Sequence, residues 1–274
     1  MFIALDENGC RISIENATND YQYFCPICGE LLIIRATDSL AVRRHFAHKR
    51  GTVCLDDWNH DMSEWHLAWQ QQFPEQNTEV VIEKDGIKHR ADVCINNTVI
   101  EFQHSPITAQ EIAERNIFYL GCGYKMVWVF DATDKIKNYF DDSIDPMKCQ
   151  EDDLCWKRAK QQFAFPIPPE VTVYLQYKTP VFFDFENKKV DIMLKVTKMS
   201  PKDFKFFKTK YYILPVNFLK EYGAISNSDI LSVRDIFHKT KLYLQQLRRK
   251  REIEANKKLN EFFAKNRPKR RWRL

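Results

Sequence analysis

Lys88-His-Arg90-Ala-Asp92-Val93-Cys94-Ile95-Asn96-Asn97-Thr98-Val99-Ile100-Glu101-Phe102-Gln103-His-Ser105 reads as a β-hairpin. Asn96-Asn97 can supply the two positive-φ positions of a tight type I′ turn, and the flanks, Arg90 to Ile95 and Thr98 to Gln103, carry strand-forming residues. A two-residue loop fixes the register: Ile95 faces Thr98, Cys94 faces Val99, Val93 faces Ile100, and Asp92 faces Glu101. Like charges opposed across two strands are destabilising, and a divalent cation held between them is the obvious remedy. Gln103 lies two residues beyond Glu101 on the same side, about 7 Å further along the strand, while Ile100 and Phe102 point to the other side. The competing reading is a solvated sheet face on which two carboxylates fall opposite each other by chance.

The flanking sequence builds a domain around this hairpin. From Asp61 to Phe73 the apolar positions Trp65, Ala68, Trp69 and Phe73 share one helical stripe, with Glu64 and His66 on either side of it. Asp61-Met-Ser-Glu64 also fits a capping box, so Glu64 is either a cap or a site residue. Glu79 to Glu83 reads as a strand and Asp85-Gly86 as the turn leading into the central hairpin. Thr108-x-x-Glu111 opens a helix that runs through Tyr119 and closes at Gly121, with Ile112, Ala113, Ile117 and Leu120 inward. Lys125 to Phe130 returns as a buried strand. Helix, three meandering strands, helix, strand gives an α/β fold whose mixed sheet carries a parallel last strand, because the crossover is helical.

Upstream, Phe2 to Leu5 and Arg11 to Ile14 read as short strands joined by Asp6-Glu7-Asn8-Gly9. Tyr23-Phe24-Cys25-Pro-Ile-Cys28-Gly29 is a Cys-x-x-Cys knuckle, followed by His45-Phe-Ala-His48. Cys25, Cys28, His45 and His48 offer four ligands at near zinc-finger spacing, although two residues between the histidines is tight, and Cys54 can replace one of them. A zinc ion closed by four protein ligands contributes folding energy rather than chemistry. The eight cysteines are otherwise scattered, and no apolar run approaches the roughly 20 residues of a membrane span. Neither secretion nor insertion is expected, which leaves reduced thiols and a cytoplasmic location.

Downstream, Asp141 to Asp153 is acidic and loop-like, Trp156 to Phe165 suggests a short helix, and the prolines at 166, 168 and 169 mark a boundary. Val171 to Tyr177, Val181 to Phe185 and Val190 to Lys198 read as strands of a β-rich appendage. Its Phe204, Phe206, Phe207, Tyr211 and Tyr212 among lysines suit either a core or base stacking. Asp229 to about Lys265 reads as a long helix with Ile230, Val233, Phe237, Leu244, Leu247 and Phe262 inward and Arg248, Arg249, Lys250 and Arg251 exposed. From Lys239 onward 14 Lys/Arg stand against 3 Asp/Glu, so the net +5 of the chain hides a strongly basic C-terminus. That helix and the tail bearing Lys269, Arg270 and Arg271 suggest a polyanionic partner, most simply DNA. The resulting division is a zinc-binding β module at 1–58, a core at 59–140, the linker and appendage at 141–225, and the basic helix and tail at 226–274.

Ser-Glu64-Trp-His66, His89-Arg90-Ala-Asp92-Val93, Ile100-Glu101-Phe-Gln103-His-Ser105 and Glu114-Arg115-Asn-Ile-Phe-Tyr119, following Cys-Pro-Ile-Cys and His-Phe-Ala-His, resemble the competence protein CoiA-like family over roughly residues 1 to 140. The resemblance implies a PD-(D/E)xK nuclease, restriction-endonuclease-like, with the αβββαβ core read above. It also implies a catalytic set. Asp92 and Glu101 would bind Mg²⁺ or Mn²⁺ together with a backbone carbonyl, Gln103 would stand where the superfamily more often has lysine, and Glu64 would be the first-helix acid. A neutral Gln103 can hydrogen-bond but cannot supply positive charge. His66 and His89 are candidate proton shuttles or else structural hydrogen-bonders, Arg90 is a candidate contact to the phosphate backbone, and Arg115 and Tyr119, one helical turn apart, are either such contacts or packing residues. The implied activity is metal-dependent hydrolysis of DNA in competence, recombination or defence, with protein partners in such processes. The alternative is a weakened nuclease fold that only binds DNA.

Overall fold

The computed structural model describes residues 1–37, 39, 42–54, 56, 58, 63–131, 154–156, 168–183, 189–199, 207–213, 215–223 and 233–266. They form two sheets, each with its own apolar core. The first is antiparallel and consists of β1 (Ile3–Leu5), β2 (Arg11–Ser13), β3 (Tyr23–Phe24), β4 (Leu31–Arg35) and β5 (His45–His48), in the order β2-β1-β3-β4-β5. Ala4, Ile14, Tyr23, Leu32 and Phe46 fill its core.

The second sheet is mixed. Helix α1 (Glu64–Gln70) precedes β6 (Thr78–Lys84), β7 (Ile87–Ile95) and β8 (Thr98–Gln103), and helix α2 (Ala109–Gly121) crosses over to β9 (Lys125–Asp131). This is the αβββαβ order expected, with β9 parallel to β8. Both hairpin turns have the expected backbone: Asp85 and Gly86 at φ 52° and 79°, Asn96 and Asn97 at φ 48° and 57°. Ile95 pairs with Thr98, Cys94 with Val99, and Val93 with Ile100. The β-rich stretch from 141–225 extends the same sheet. Strands β10 (Leu154–Trp156), β11 (Val171–Phe183), β12 (Lys189–Met199) and β13 (Phe207–Ile213) continue it, β11 lying parallel to β9, in the order β10-β13-β12-β11-β9-β8-β7-β6.

One face of this sheet is covered by α1 and by helix α3 (Pro215–Glu221). Trp69, Val93, Ile100, Phe102, Val129, Tyr174 and Phe218 share a single core. The Trp65 and Trp69 indoles both donate to Gln176 Oε1, at 2.6 and 2.8 Å, so one carbonyl on β11 seats α1. Gln176→Leu strands both donors and is expected to cost about 2–3 kcal/mol, read as a lower urea midpoint at unchanged m-value. Glu79 joins the two sheets. Its backbone is left-handed at φ 46°, and its buried Oε2 accepts from the amides of Phe2 and Ile3, each at 2.9 Å.

Several expectations are corrected. Ser63, not Asp61, caps α1, its Oγ accepting from the His66 amide, and Ala68 is exposed; Asp61 lies outside the described residues. The capping box of Thr108 and Glu111 on α2 is present, but the inward face is Ile112, Arg115, Asn116 and Tyr119, with Ile117 exposed. Those two polar side chains are buried because each meets a partner on the sheet: Asn116 Oδ1 accepts from Trp128 Nε1 at 2.8 Å, and Arg115 reaches Glu101. Leu154–Trp156 is a strand where a helix was expected to begin, and 157–165 lie outside the described residues. Val171–Phe183 is one strand rather than two. Helix α4 (Val233–Lys265) is nearly as long as expected, but Phe262, expected inward, is 60% exposed, since no other described element packs against that end. No helix among the described residues is long and apolar enough to cross a membrane.

Candidate active site and metal centre

Past the pairing of Val93 with Ile100, side chains replace the backbone ladder between β7 and β8. The Phe102 amide donates to Asp92 Oδ2 at 2.8 Å, and the Asp92 amide to Glu101 Oε1 at 3.4 Å. Asp92 and Glu101 therefore meet, as the hairpin register requires, and they do so under cover: the residues are 4% and 1% exposed. Arg115 Nη1 donates to Glu101 Oε2 at 2.9 Å. His66 Nε2 stands 3.0 Å from Asp92 Oδ1, an ion-pair contact without hydrogen-bond alignment. Gln70 of α1 holds the Asp92 carbonyl through Nε2 at 3.2 Å.

Two buried carboxylates share one guanidinium. Burial and the Asp92 charge push the Glu101 pKa up to about 8, against the pull of Arg115. Burial alone would lower the pKa of Arg115, yet Glu101 and Asp92 raise it. Burial works against His66 too, but the Asp92 carboxylate outweighs it and raises its pKa. Burial and the same two acids also raise the Tyr119 hydroxyl, which is buried with no hydrogen-bond partner among the described residues. Burial pushes one of the two acids toward its neutral form, and the Tyr119 hydroxyl beside them has no hydrogen-bond partner among the described residues. A hard cation can take the place of that proton and hold both carboxylates ionised.

The expected site residues fare differently. His66, Asp92, Gln103 and Arg115 line one small polar pocket, with Glu101 buried behind it. Gln103 Nε2 is spent on the Ser105 carbonyl at 2.7 Å. Glu64 is exposed at the start of α1, two residues and about 200° around the helix from His66, so His66 is the α1 residue that reaches the acids. His89 is away from the pocket, its Nδ1 3.0 Å from Asp56 Oδ1. Arg90, expected to contact DNA, is 8% exposed, and Arg115, expected either to contact DNA or to pack, is 3% exposed; each serves a buried acid, Arg115 binding Glu101 and the Arg90 charge helping to hold the Glu79 pKa down. Tyr119 is fully buried as well. Arg248, Arg249, Lys250 and Arg251 are exposed on α4, whereas Lys269, Arg270 and Arg271 lie outside the described residues.

Sequence reasoning passed over His104, which lines the same pocket with its Nδ1 2.8 Å from Asp131 Oδ2. Its place directly after Gln103 was the available signal.

A second cluster lies in the first sheet. The ligand atoms of Cys25, Cys28, His48 and Cys54 all fall within 4.8 Å of one another, with Cys25 Sγ 3.9 Å from Cys54 Sγ and Cys28 Sγ 3.3 Å from His48 Nε2. Three thiols and an imidazole at that spacing can hold a metal ion such as zinc. Cys54 takes the place expected for His45, whose Nδ1 is 2.8 Å from the Arg43 carbonyl. His45 and His48 are three apart on one strand, so their side chains leave opposite faces and only one can enter the cluster.

An αβββαβ core with two acids meeting on neighbouring strands, preceded by a small sheet that carries a Cys/His cluster able to hold a metal, defines a nuclease-like α/β protein. Residues 60–166 match the family model for the nuclease-like domain of competence protein CoiA, and residues 9–56 that for its N-terminal domain. Together the two matches cover more than half of the 274 residues, and the chain belongs to the competence protein CoiA-like family. No curated protein and no solved structure matches it.

Proposed function

We propose that this protein is a metal-dependent deoxyribonuclease that hydrolyses phosphodiester bonds during DNA processing in the cytoplasm, in competence, recombination or defence. The observation that supports this reading is the meeting of Asp92 and Glu101 across the hairpin, beside a small polar pocket that Asp92, His66 and Arg115 line. Asp92 and Glu101 would hold Mg²⁺ or Mn²⁺. Bound there, the cation would neutralise charge on the scissile phosphate and lower the pKa of its water.

The chain's own residues do the rest. With Gln103 tied to Ser105, Arg115 is the guanidinium lining the pocket among the described residues, and it would place permanent positive charge where the superfamily's lysine does. His66 orients Asp92 and can pass a proton within the pocket. Zinc at Cys25, Cys28, His48 and Cys54 would brace the first sheet. The exposed Arg248, Arg249, Lys250 and Arg251, with the tail that follows, would grip the DNA backbone.

The test is incubation of linear, circular and single-stranded DNA with Mg²⁺, Mn²⁺ or EDTA, beside an Asp92→Ala/Glu101→Ala variant. Metal-dependent cutting of circular DNA by the wild type alone identifies an endonuclease. One observation favours a second reading, a DNA-binding fold of weakened activity: every oxygen of the two acids already has a protein partner. Binding without cutting under every metal condition would establish that reading instead.

Replacing Arg248, Arg249, Lys250 and Arg251 by alanine is expected to weaken DNA binding and flatten its salt dependence, the slope of log K against log salt losing about 0.9 per phosphate contact. An unchanged slope assigns the helix to another partner.

A further inference from the structure

Asp56 and Trp58 have no part in the proposed chemistry, yet they connect the two clusters. Cys54 is one of the four residues that could hold the metal ion. Four residues later the Trp58 indole lies flat on the His89 imidazole, ring centroids 3.4 Å apart and planes 3° apart. Asp56 Oδ1, 3.0 Å from His89 Nδ1, fixes that imidazole. The Trp58 ring also receives the Arg115 guanidinium, whose carbon lies 5.1 Å from the centroid, and it meets the edges of Phe118 and Tyr119. Arg115 in turn donates to Glu101. A guanidinium within about 6 Å of an indole face is attracted by the ring quadrupole, and a flat aromatic surface also limits where it can swing.

We propose that Trp58 is a positioning residue that holds Arg115 against Glu101, and that the metal ion of the cysteine cluster sets Trp58 in place, so the two centres work as one unit. The proposal rests on the reading of Asp92 and Glu101 as the cleavage site. Its physical basis is the short tether. Four residues of chain span at most about 14 Å, so a Cys54 thiolate fixed on an ion keeps Trp58 within reach of its place between His89, Phe118 and Tyr119. Arg115 is only 3% exposed and has no bulk water to settle into; without the indole beside it, the space freed lets the guanidinium shift away from Glu101. The zinc centre thereby gains a role beyond bracing its own sheet.

The test uses the full-length, metal-loaded protein. Trp58→Ala is expected to lower kcat on DNA on the order of 10²-fold, the usual effect of misplacing a catalytic group by about 1 Å, with KM and zinc content unchanged, while Trp58→Phe recovers most of the rate. A second readout needs no activity: the Nε–H signal of Arg115 in ¹⁵N spectra, assigned by its loss in Arg115→Lys. In wild type it is expected to be shifted by the indole ring current and slow to exchange. It should lose both properties in Trp58→Ala, and also in wild type whose cluster ion has been stripped with an organomercurial while circular dichroism shows the fold retained.

A Trp58→Ala protein with wild-type kcat, or an Arg115 signal that neither change moves, overturns the proposal. If Glu101→Gln cuts DNA as wild type does, it is the assignment of the cleavage site that falls, and the Arg115 signal then decides the coupling by itself.

Discussion

Glu101→Gln is expected to reduce DNA cleavage on the order of 10³-fold or more while leaving DNA affinity within about twofold, because the lost interaction belongs to the transition state. The substitution is nearly isosteric, and the amide oxygen can still accept from Arg115 Nη1. Burial and the Asp92 charge raise the Glu101 pKa and so favour its protonated form before a cation arrives, which makes a neutral glutamine a close stand-in for the metal-free side chain. Thermal unfolding in EDTA should therefore be close to that of wild type. Added Mg²⁺ should stabilise the wild type and not the variant, since only the wild type gains a ligand-linked term. Cleavage by the variant at the wild-type rate would remove this hairpin from consideration as the active site.

Cys54→Ser is expected to release stoichiometric zinc and lower the Tm of the first sheet by roughly 10 °C or more, given that structural zinc sites contribute about 10–16 kcal/mol of apparent binding energy. His45→Ala is expected to retain the metal, because its ring faces the Arg43 carbonyl rather than the cluster. Metal analysis of the two variants purified without chelators decides between the ligand sets. Loss of metal from His45→Ala with retention in Cys54→Ser would restore the two-histidine site.

The hairpin and its surroundings were legible because the signals are local. Asn96-Asn97 dictates a turn, the turn dictates the register, and the register brings Asp92 to Glu101. The choice of Cys54 over His45 was open in the sequence, and strand alternation alone could have settled it, since residues 45 and 48 cannot share a face. Arg115 was harder to place. Apolar periodicity selected Ala113 and Ile117 for the inner face of α2, but that face meets the Glu101 carboxylate and the Trp128 indole N–H, and a polar residue is buried wherever its partner waits. Arg90 was misread for the same reason, its charge answering Glu79 on the neighbouring strand. Nothing local announces that β11 pairs with β9 in parallel across some forty residues of intervening chain, or that Gln176 will serve two tryptophans of α1.

That parallel pairing bears on how the chain is made. Strand β9 lies inside the sheet, and the core behind α1 is finished only by Tyr174, Met193 and Phe218. A nascent chain that has emerged only to residue 140 would carry β9 as an open edge and the Trp69 face uncovered, a state prone to aggregation. The core of the nuclease-like half is therefore completed only once α3 has left the ribosome. At about 5–20 residues per second that interval lasts several seconds, during which the exposed β9 edge and Trp69 face favour association with other chains.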